Sequence, residues 1–272
     1  MRLIASDVDG TILGRDGKIS PRTVAAFAAA RDAGVEIVFV TGRPPRWLGP
    51  LREQLGHTGT VICSNGAVVY DLAAEQVLSS RLLDRDTVLH ARRVIAALVP
   101  SARFAAEGLD GFHLEPDFIE PGSVELLSDV LPAPLAETLG SGSGSGIVKF
   151  LAITSECGPD EFLALVRRAL EETLSVTHSA PTQALLELGP AGVNKAVALA
   201  AYAQSRGIDA ADVVSFGDMP NDIEMLRWAG SGYAMASGHP AARDAANLQA
   251  PHFDDDGVAQ VIEGLLAGRR AR

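Results

Sequence analysis

The string Asp7-Val8-Asp9-Gly10-Thr11 sets two carboxylates two residues apart, directly after the apolar run Leu3 to Ser6. Residues two apart on an extended strand share a face. The carboxylates of Asp7 and Asp9 are therefore expected to converge at the carboxyl end of a strand, where open α/β sheets bind ligands. The same string also reads as an Asp-rich turn ahead of Gly10. Three further groups favour the first reading. Thr41-Gly42-Arg43 follows a second apolar run, Lys195 stands at the start of a helical pattern, and Gly217-Asp218-Met219-Pro220-Asn221-Asp222 follows a third run, Val213 to Phe216. Each group falls where a neighbouring strand would deliver it to one sheet edge. The chemistry on offer there is that of gathered carboxylates with a lysine, a hydroxyl and an amide beside them.

Those groups need elements to carry them. Ser20-Pro21 looks like an N-cap followed by proline in the first turn. The alanine-rich stretch Thr23 to Ala33 is predicted to be helical, with Gly34 ending it. Val35 to Val40 is nearly all apolar and β-branched, as suits a strand covered on both faces. The same alternation returns later: a helix over Val193–Arg206, a strand over Asp212–Phe216, a helix over Asp222–Ala229, a strand over Gly232–Ala236, and helices over Pro240–Ala246 and Val258–Ala267. This pattern predicts a parallel α/β sheet with right-handed crossovers.

The middle of the chain differs. Asn65-Gly66 lies between the apolar runs Val61–Cys63 and Ala67–Tyr70, a hairpin signal. A second body follows Leu83, with helices predicted over Thr87–Val99 and Glu161–Leu174 and strands over Ile147–Thr154 and Leu174–Thr177. Gly140 to Gly146 alternates Gly and Ser and reads as a flexible loop. The order is thus core (1–83), insert (84–187), core (188–272).

The ordered series D-x-D-G-T, Thr-Gly-Arg, Lys and G-D-x-x-N-D resembles the four motifs of the haloacid dehalogenase superfamily of aspartate-nucleophile phosphohydrolases. The long insert between the Thr and Lys motifs, with Ala234-Met235-Ala236 and Asp256-Gly257-Val258-Ala259 near the end, is similar to the Cof-type branch. The resemblance implies a Rossmann-like parallel-sheet core carrying an inserted α/β (α+β) cap domain, a Mg²⁺ ion, and small phosphorylated metabolites as substrates. By the same resemblance Asp7 is the nucleophile that forms an aspartyl-phosphate. Asp9 protonates the leaving alcohol and then activates water. Asp7, Asp9 through its backbone carbonyl, and Asp218 hold Mg²⁺, and Asp222 either holds metal-bound water or orients Lys195. Lys195 offsets charge on Asp7 and on the phosphoryl oxygens. Thr41, Gly42 and Asn221 contact the phosphate, helped by the N-terminus of a helix beginning near Pro44. Arg43 contacts substrate or pairs the core with the cap. A phosphotransferase or phosphosugar mutase shares Asp7 and Asp9, and a silent metabolite-binding protein is a further alternative.

Other chemistries find little support. The six histidines form no i, i+4 metal pair, and G-x-S-x-G and Walker A strings are missing. Cys63 and Cys157 make no disulfide framework, and Trp47 and Trp228 read as packing residues. Glu107, Asp110, His113 and Glu115 are polar candidates in the insert that read more readily as solvated surface. With 23 Lys+Arg against 34 Asp+Glu the net charge is −11, which speaks against duplex nucleic acid. Apolar runs fall short of a membrane span, and an acid at position 7 spoils a signal-peptide core, so a cytoplasmic protein is expected. Residues 84–187 hold 16 Asp+Glu against 7 Lys+Arg. An insert this acidic suits neutral sugar or polyol leaving groups, with plain solubility as the alternative. Oligomeric state is not legible.

Overall fold

A computed structural model of the 272-residue chain describes residues 1–57, 59–118, 130–140 and 146–270. Most of the Gly-Ser alternation, 141–145, lies outside the described residues. The first stretch runs β1 (Leu3–Ser6), α1 (Pro21–Asp32), β2 (Glu36–Val40), α2 (Gly49–Leu55), β3 (Thr60–Cys63), β4 (Val68–Asp71) and β5 (Gln76–Ser80). Then come α3 (Arg85–Leu98), β6 (Arg103–Gly108), β7 (Phe112–Leu114), α4 (Leu135–Thr138), β8 (Ile147–Thr154), α5 (Pro159–Leu170), β9 (Leu174–Thr177) and β10 (Ala184–Pro190). The last stretch is α6 (Lys195–Ser205), β11 (Val213–Gly217), α7 (Ile223–Trp228), β12 (Ser231–Met235), α8 (Pro240–Ala245), β13 (Leu248–Ala250) and α9 (Gly257–Arg270).

The chain divides into two compact units, residues 1–79 with 194–272, and residues 80–193. The sequence reading placed the second body at 84–187, but residue 187 falls inside β10, whose ladder to β9 runs on to Pro190. In the first unit eight strands lie in the order β13-β12-β11-β1-β2-β3-β4-β5. The strands from β13 to β3 pair in parallel, and β4 returns antiparallel to β3. The expected parallel α/β core is present. Its central strands β1, β2, β3 and β11 are mostly apolar and almost wholly buried, as strands covered on both faces should be. Leu3, Ala5, Val38, Val40 and Ile62 join Leu199, Ala203 and Met225 of α6 and α7. Phe39, on the alternate face of β2, meets Phe27 of α1 edge-on at 5.3 Å. Ser20 caps α1, its hydroxyl accepting from the Thr23 N–H at 3.1 Å ahead of Pro21, as expected.

The second unit is built on five antiparallel strands in the order β7-β6-β8-β10-β9. Its apolar core gathers Phe104, Phe150, Ala152, Leu186 and Leu188 from the strands with Val88, Ile95, Phe162 and Val166 from α3 and α5. The amphipathic repeats of those helices explain why they were legible. Two expectations fail here: Glu107 and Glu115 are buried rather than solvated. The Glu115 carboxylate accepts from Arg92 Nε at 2.7 Å and from the Leu135 N–H at the start of α4 at 3.2 Å. Trp47 departs the other way. It is 41% exposed and lies beneath the Arg46 guanidinium, which is 4.5 Å from its ring centroid. Cys63 and Cys157 are both free, and burial pushes the Cys63 thiol up, as suits a core position. No helix of the described residues is long and apolar enough to cross a membrane.

Candidate active site

At the carboxyl ends of β1, β2 and β11 the first unit brings its polar residues together. β1 ends at Ser6, and the Asp7 N–H donates to the Phe216 carbonyl at 3.0 Å, so the sheet aligns Asp7 with the β11 loop. The Asp7 side chain is almost wholly buried. Its Oδ1 accepts from Lys195 Nζ at 2.6 Å and its Oδ2 from the Thr11 hydroxyl at 3.2 Å. The Thr11 oxygen also lies 3.1 Å from Asp218 Oδ1, so one hydroxyl links the two carboxylates. Thr11 is a site residue the sequence reading passed over, although it closes the D-x-D-G-T string.

Lys195 is the first residue of α6, behind the N-cap Asn194, whose side chain accepts from the Val197 N–H at 2.9 Å. Its ammonium is fully buried and reaches Asp222 Oδ1 at 2.7 Å as well as Asp7. The other Asp222 oxygen accepts from the Asp218 and Met219 N–H groups, both at 3.0 Å. Asp222 therefore closes its own loop and fixes the lysine. A place as direct metal ligand competes with all three of those bonds.

Asp9 departs from expectation. The strand stops before it, so Asp7 and Asp9 do not share a strand face. Asp9 is exposed, and its two oxygens take Arg43 Nε at 2.8 Å and Nη2 at 2.6 Å. Arg43 thus forms a bidentate pair inside its own unit, which neither expected role for it described. Arg43 Nη1 also donates to the Trp47 carbonyl at 3.0 Å. Thr41 is fully buried, and its Oγ accepts from the Arg43 N–H at 3.1 Å, which leaves the hydroxyl proton to give elsewhere. No α-helix begins at Pro44. A single 3₁₀ turn, Pro45–Trp47, comes first, and α2 starts only at Gly49. The expected dipole at Thr41 is missing because Pro45 holds the preceding Pro44 extended, at φ −72° and ψ 161°, so no helix can start there.

The β3–β4 hairpin, which is present as expected, closes the remaining side. Ser64 and Asn65 donate their N–H groups to the carbonyls of Arg43 and Thr41, both at 3.0 Å. Asn221 Nδ2 donates to Asn65 Oδ1 at 3.0 Å. Close approach also explains Gly10. Its φ is +78°, and a Cβ there would stand 2.4 Å from Asp218 Oδ2.

Electrostatics follow from this burial. Desolvation, with Asp222 and Asp9 nearby, pushes the Asp7 carboxyl up to about 7 despite the opposing pull of Lys195. Asp218 is likewise raised, by burial first and then by Asp7 and Asp222. Burial alone would lower Lys195, yet Asp222 and Asp7 hold the ammonium above its ordinary value. Crowded carboxylates that resist ionising together are a setting for a cation. Asp7, Asp218 and Asp222 each offer an oxygen, and those atoms lie within 4.8 Å of one another. An all-oxygen donor set of this kind fits a hard divalent ion.

Residues 4–262 match the family model of the haloacid dehalogenase-like hydrolases. The chain belongs to this family. Within it, this hydrolase is a Cof-type phosphatase, a phosphoric monoester hydrolase. It is 28% identical to the pyridoxal phosphate phosphatase YbhA of Escherichia coli, over 97% of this chain and 98% of that one. It is 26% identical to the 5-amino-6-(5-phospho-D-ribitylamino)uracil phosphatase YitU of Bacillus subtilis, over 96% of each. Among solved structures, SMU.1108c from Streptococcus mutans superposes with a TM-score of 0.81 at 26% identity, over 98% of this chain and 99% of that one.

Proposed function

We propose that this hydrolase is a Mg²⁺-dependent phosphatase that cleaves small-molecule phosphate monoesters through an aspartyl-phosphate on Asp7. The observation that carries the reading is the buried Lys195 ammonium held between Asp7 and Asp222 at 2.6 and 2.7 Å. A lysine fixed in this way keeps Asp7 Oδ1 oriented and supplies positive charge where a phosphoryl group would arrive. In the proposed first step a carboxylate oxygen of Asp7 attacks phosphorus as the bond to the leaving oxygen breaks. The departing alkoxide takes its proton from Asp9. Water then attacks the phosphorus of the acyl-phosphate and gives a proton back to Asp9, which releases phosphate and restores the Asp7 carboxylate. Both Asp9 oxygens are engaged by Arg43, so this shuttle requires that pair to open.

Mg²⁺ fits Asp7 and Asp218, whose oxygens meet at the Thr11 hydroxyl, with the Asp9 backbone carbonyl as the third protein ligand. When bound, it supplies charge neutralisation for the phosphoryl oxygens. Asp222 is assigned to positioning Lys195, because its oxygens are committed to that ammonium and to two backbone N–H groups. Thr41 offers its hydroxyl proton, and Asn221 an amide N–H, to the phosphate, where Gly42 permits close backbone approach. The unit 80–193 is proposed as the cap that selects the leaving group, a sugar or polyol in our reading. Relatives named for a phospho-ribitylamino compound and for pyridoxal phosphate support a small metabolite.

Asp7→Asn should lower release of inorganic phosphate from a panel of sugar and polyol phosphates by at least about 10³-fold. Its circular dichroism and melting profile should stay those of a folded chain. Turnover equal to the parent enzyme would remove the nucleophile assignment.

A further inference from the structure

The tip of the β3–β4 hairpin is strained. Ser64 and Asn65 are consecutive non-glycine residues at φ +48° and +55°, followed by Gly66 at +100°. Left-handed backbone at a residue other than glycine costs on the order of 1 kcal/mol and persists only where its surroundings impose it. Three contacts impose it here. The Ser64 and Asn65 N–H groups are tied to the carbonyls of Arg43 and Thr41. Gly66 packs so tightly on the N-cap of α6 that a Cβ would sit 2.5 Å from the Asn194 carbonyl oxygen. The Asn65 side chain holds Asn221. One three-residue turn thereby touches the loops bearing Thr41 and Asn221 and the helix start bearing Lys195.

We propose that Asn65 is a positioning residue for phosphate recognition, acting through the Asn221 amide. The inference rests on the phosphatase reading, in which Asn221 gives an N–H to the phosphoryl group. A primary amide has two nearly isosteric orientations that exchange its NH₂ for its carbonyl. In one it offers a donor to an anion, and in the other a repelling acceptor. In this structure the bond runs from Asn221 Nδ2 to Asn65 Oδ1, so the Asn65 carbonyl oxygen holds the Asn221 amide with Nδ2 turned towards it. One Nδ2 proton serves Asn65, and the second is left for a phosphoryl oxygen. Asn221 Oδ1 is buried without a hydrogen-bond partner among the described residues. The carbonyl end therefore offers no competing bond to hold the amide, and Asn65 is its anchor. Asparagine suits position 65 twice over, since it tolerates left-handed backbone and carries the acceptor.

Asn65→Gly removes the acceptor and keeps the left-handed turn free of strain, so the fold should survive with an unchanged melting temperature. We expect kcat/KM for a sugar phosphate monoester to fall about 10- to 100-fold, and binding of orthovanadate in the presence of Mg²⁺ to weaken in parallel. Asn221→Ala should lose a similar factor, and the double variant Asn65→Gly/Asn221→Ala should be no worse than Asn221→Ala alone. A turn that serves only stability would lower the melting temperature and leave the two losses independent. Parent-like kcat/KM and vanadate affinity in Asn65→Gly, or losses that multiply in the double variant, would overturn the assignment and leave the phosphatase reading standing. A parent enzyme that neither hydrolyses monoesters nor binds vanadate would instead end the phosphatase reading and take this inference with it.

Discussion

Asp7 and Asp218 share one hydroxyl and one buried setting, and both hold their protons to higher pH than an ordinary carboxylate. For Asp7 the value is pushed from 3.8 up to about 7. Between those limits the folded metal-free protein binds more protons than the unfolded chain, so its stability is greatest at the acid end and falls as pH rises through the window. A divalent ion needs the ionised carboxylates and reverses that penalty. Added Mg²⁺ should therefore raise the melting temperature strongly at pH 8 and little at pH 5. Thermal denaturation at the two pH values, with and without the ion, measures this. An equal rise at both would place the ion elsewhere than on Asp7 and Asp218.

At the scale of the element, what matters is how a helix start or a loop end is pinned. Lys195 is the first residue of α6, and its position depends on Asn194, which caps the helix by accepting from Val197 and gives its carbonyl to the close approach of Gly66. Asn194→Ala should cost about 1 kcal/mol of stability in urea denaturation. Because the frayed turn is the one bearing Lys195, kcat should fall as well. Unchanged stability would show that the hairpin alone holds the helix start. Much of this level was legible beforehand. The Asn-Gly hairpin, the Ser20 cap and the apolar strands β2 and β11 follow from turn chemistry and periodicity. The short strands β7 and β13 were missed, since three residues are too few to display a period, and the longer strands β5, β6 and β10 were missed as well.

Over the whole molecule the charge is uneven. With the units divided at 80 and 193, the second unit holds 16 Asp+Glu against 8 Lys+Arg, and the first 18 against 15. Most of the excess acid therefore lies outside the unit that carries the carboxylate cluster. If that unit selects the leaving group, substrates bearing a second phosphate should be disfavoured by like-charge repulsion. We expect kcat/KM for hexose or polyol monophosphates to exceed that for the corresponding bisphosphates by at least tenfold, with the gap narrowing as salt is raised. A preference for bisphosphates, or a gap indifferent to ionic strength, would return the acidity to a solubility role.

The sequence alone determined the order of the motifs, the alternation that makes a parallel sheet, and the presence of a second body between Leu83 and Lys195. These properties are local, because strand runs, caps and turn residues act over a few positions and leave a periodic trace. Only the tertiary structure decided which polar groups meet. Lys195 lies 188 positions from Asp7 and 27 from Asp222, yet bonds both. Asn65 and Asn221, 156 positions apart, share a hydrogen bond. Asp9, two residues from Asp7, turns away to Arg43 because the strand ends at Ser6. Partner choice among buried polar groups is set by the need to satisfy each donor and acceptor once water is excluded. That condition belongs to the packed molecule and leaves no period in the sequence.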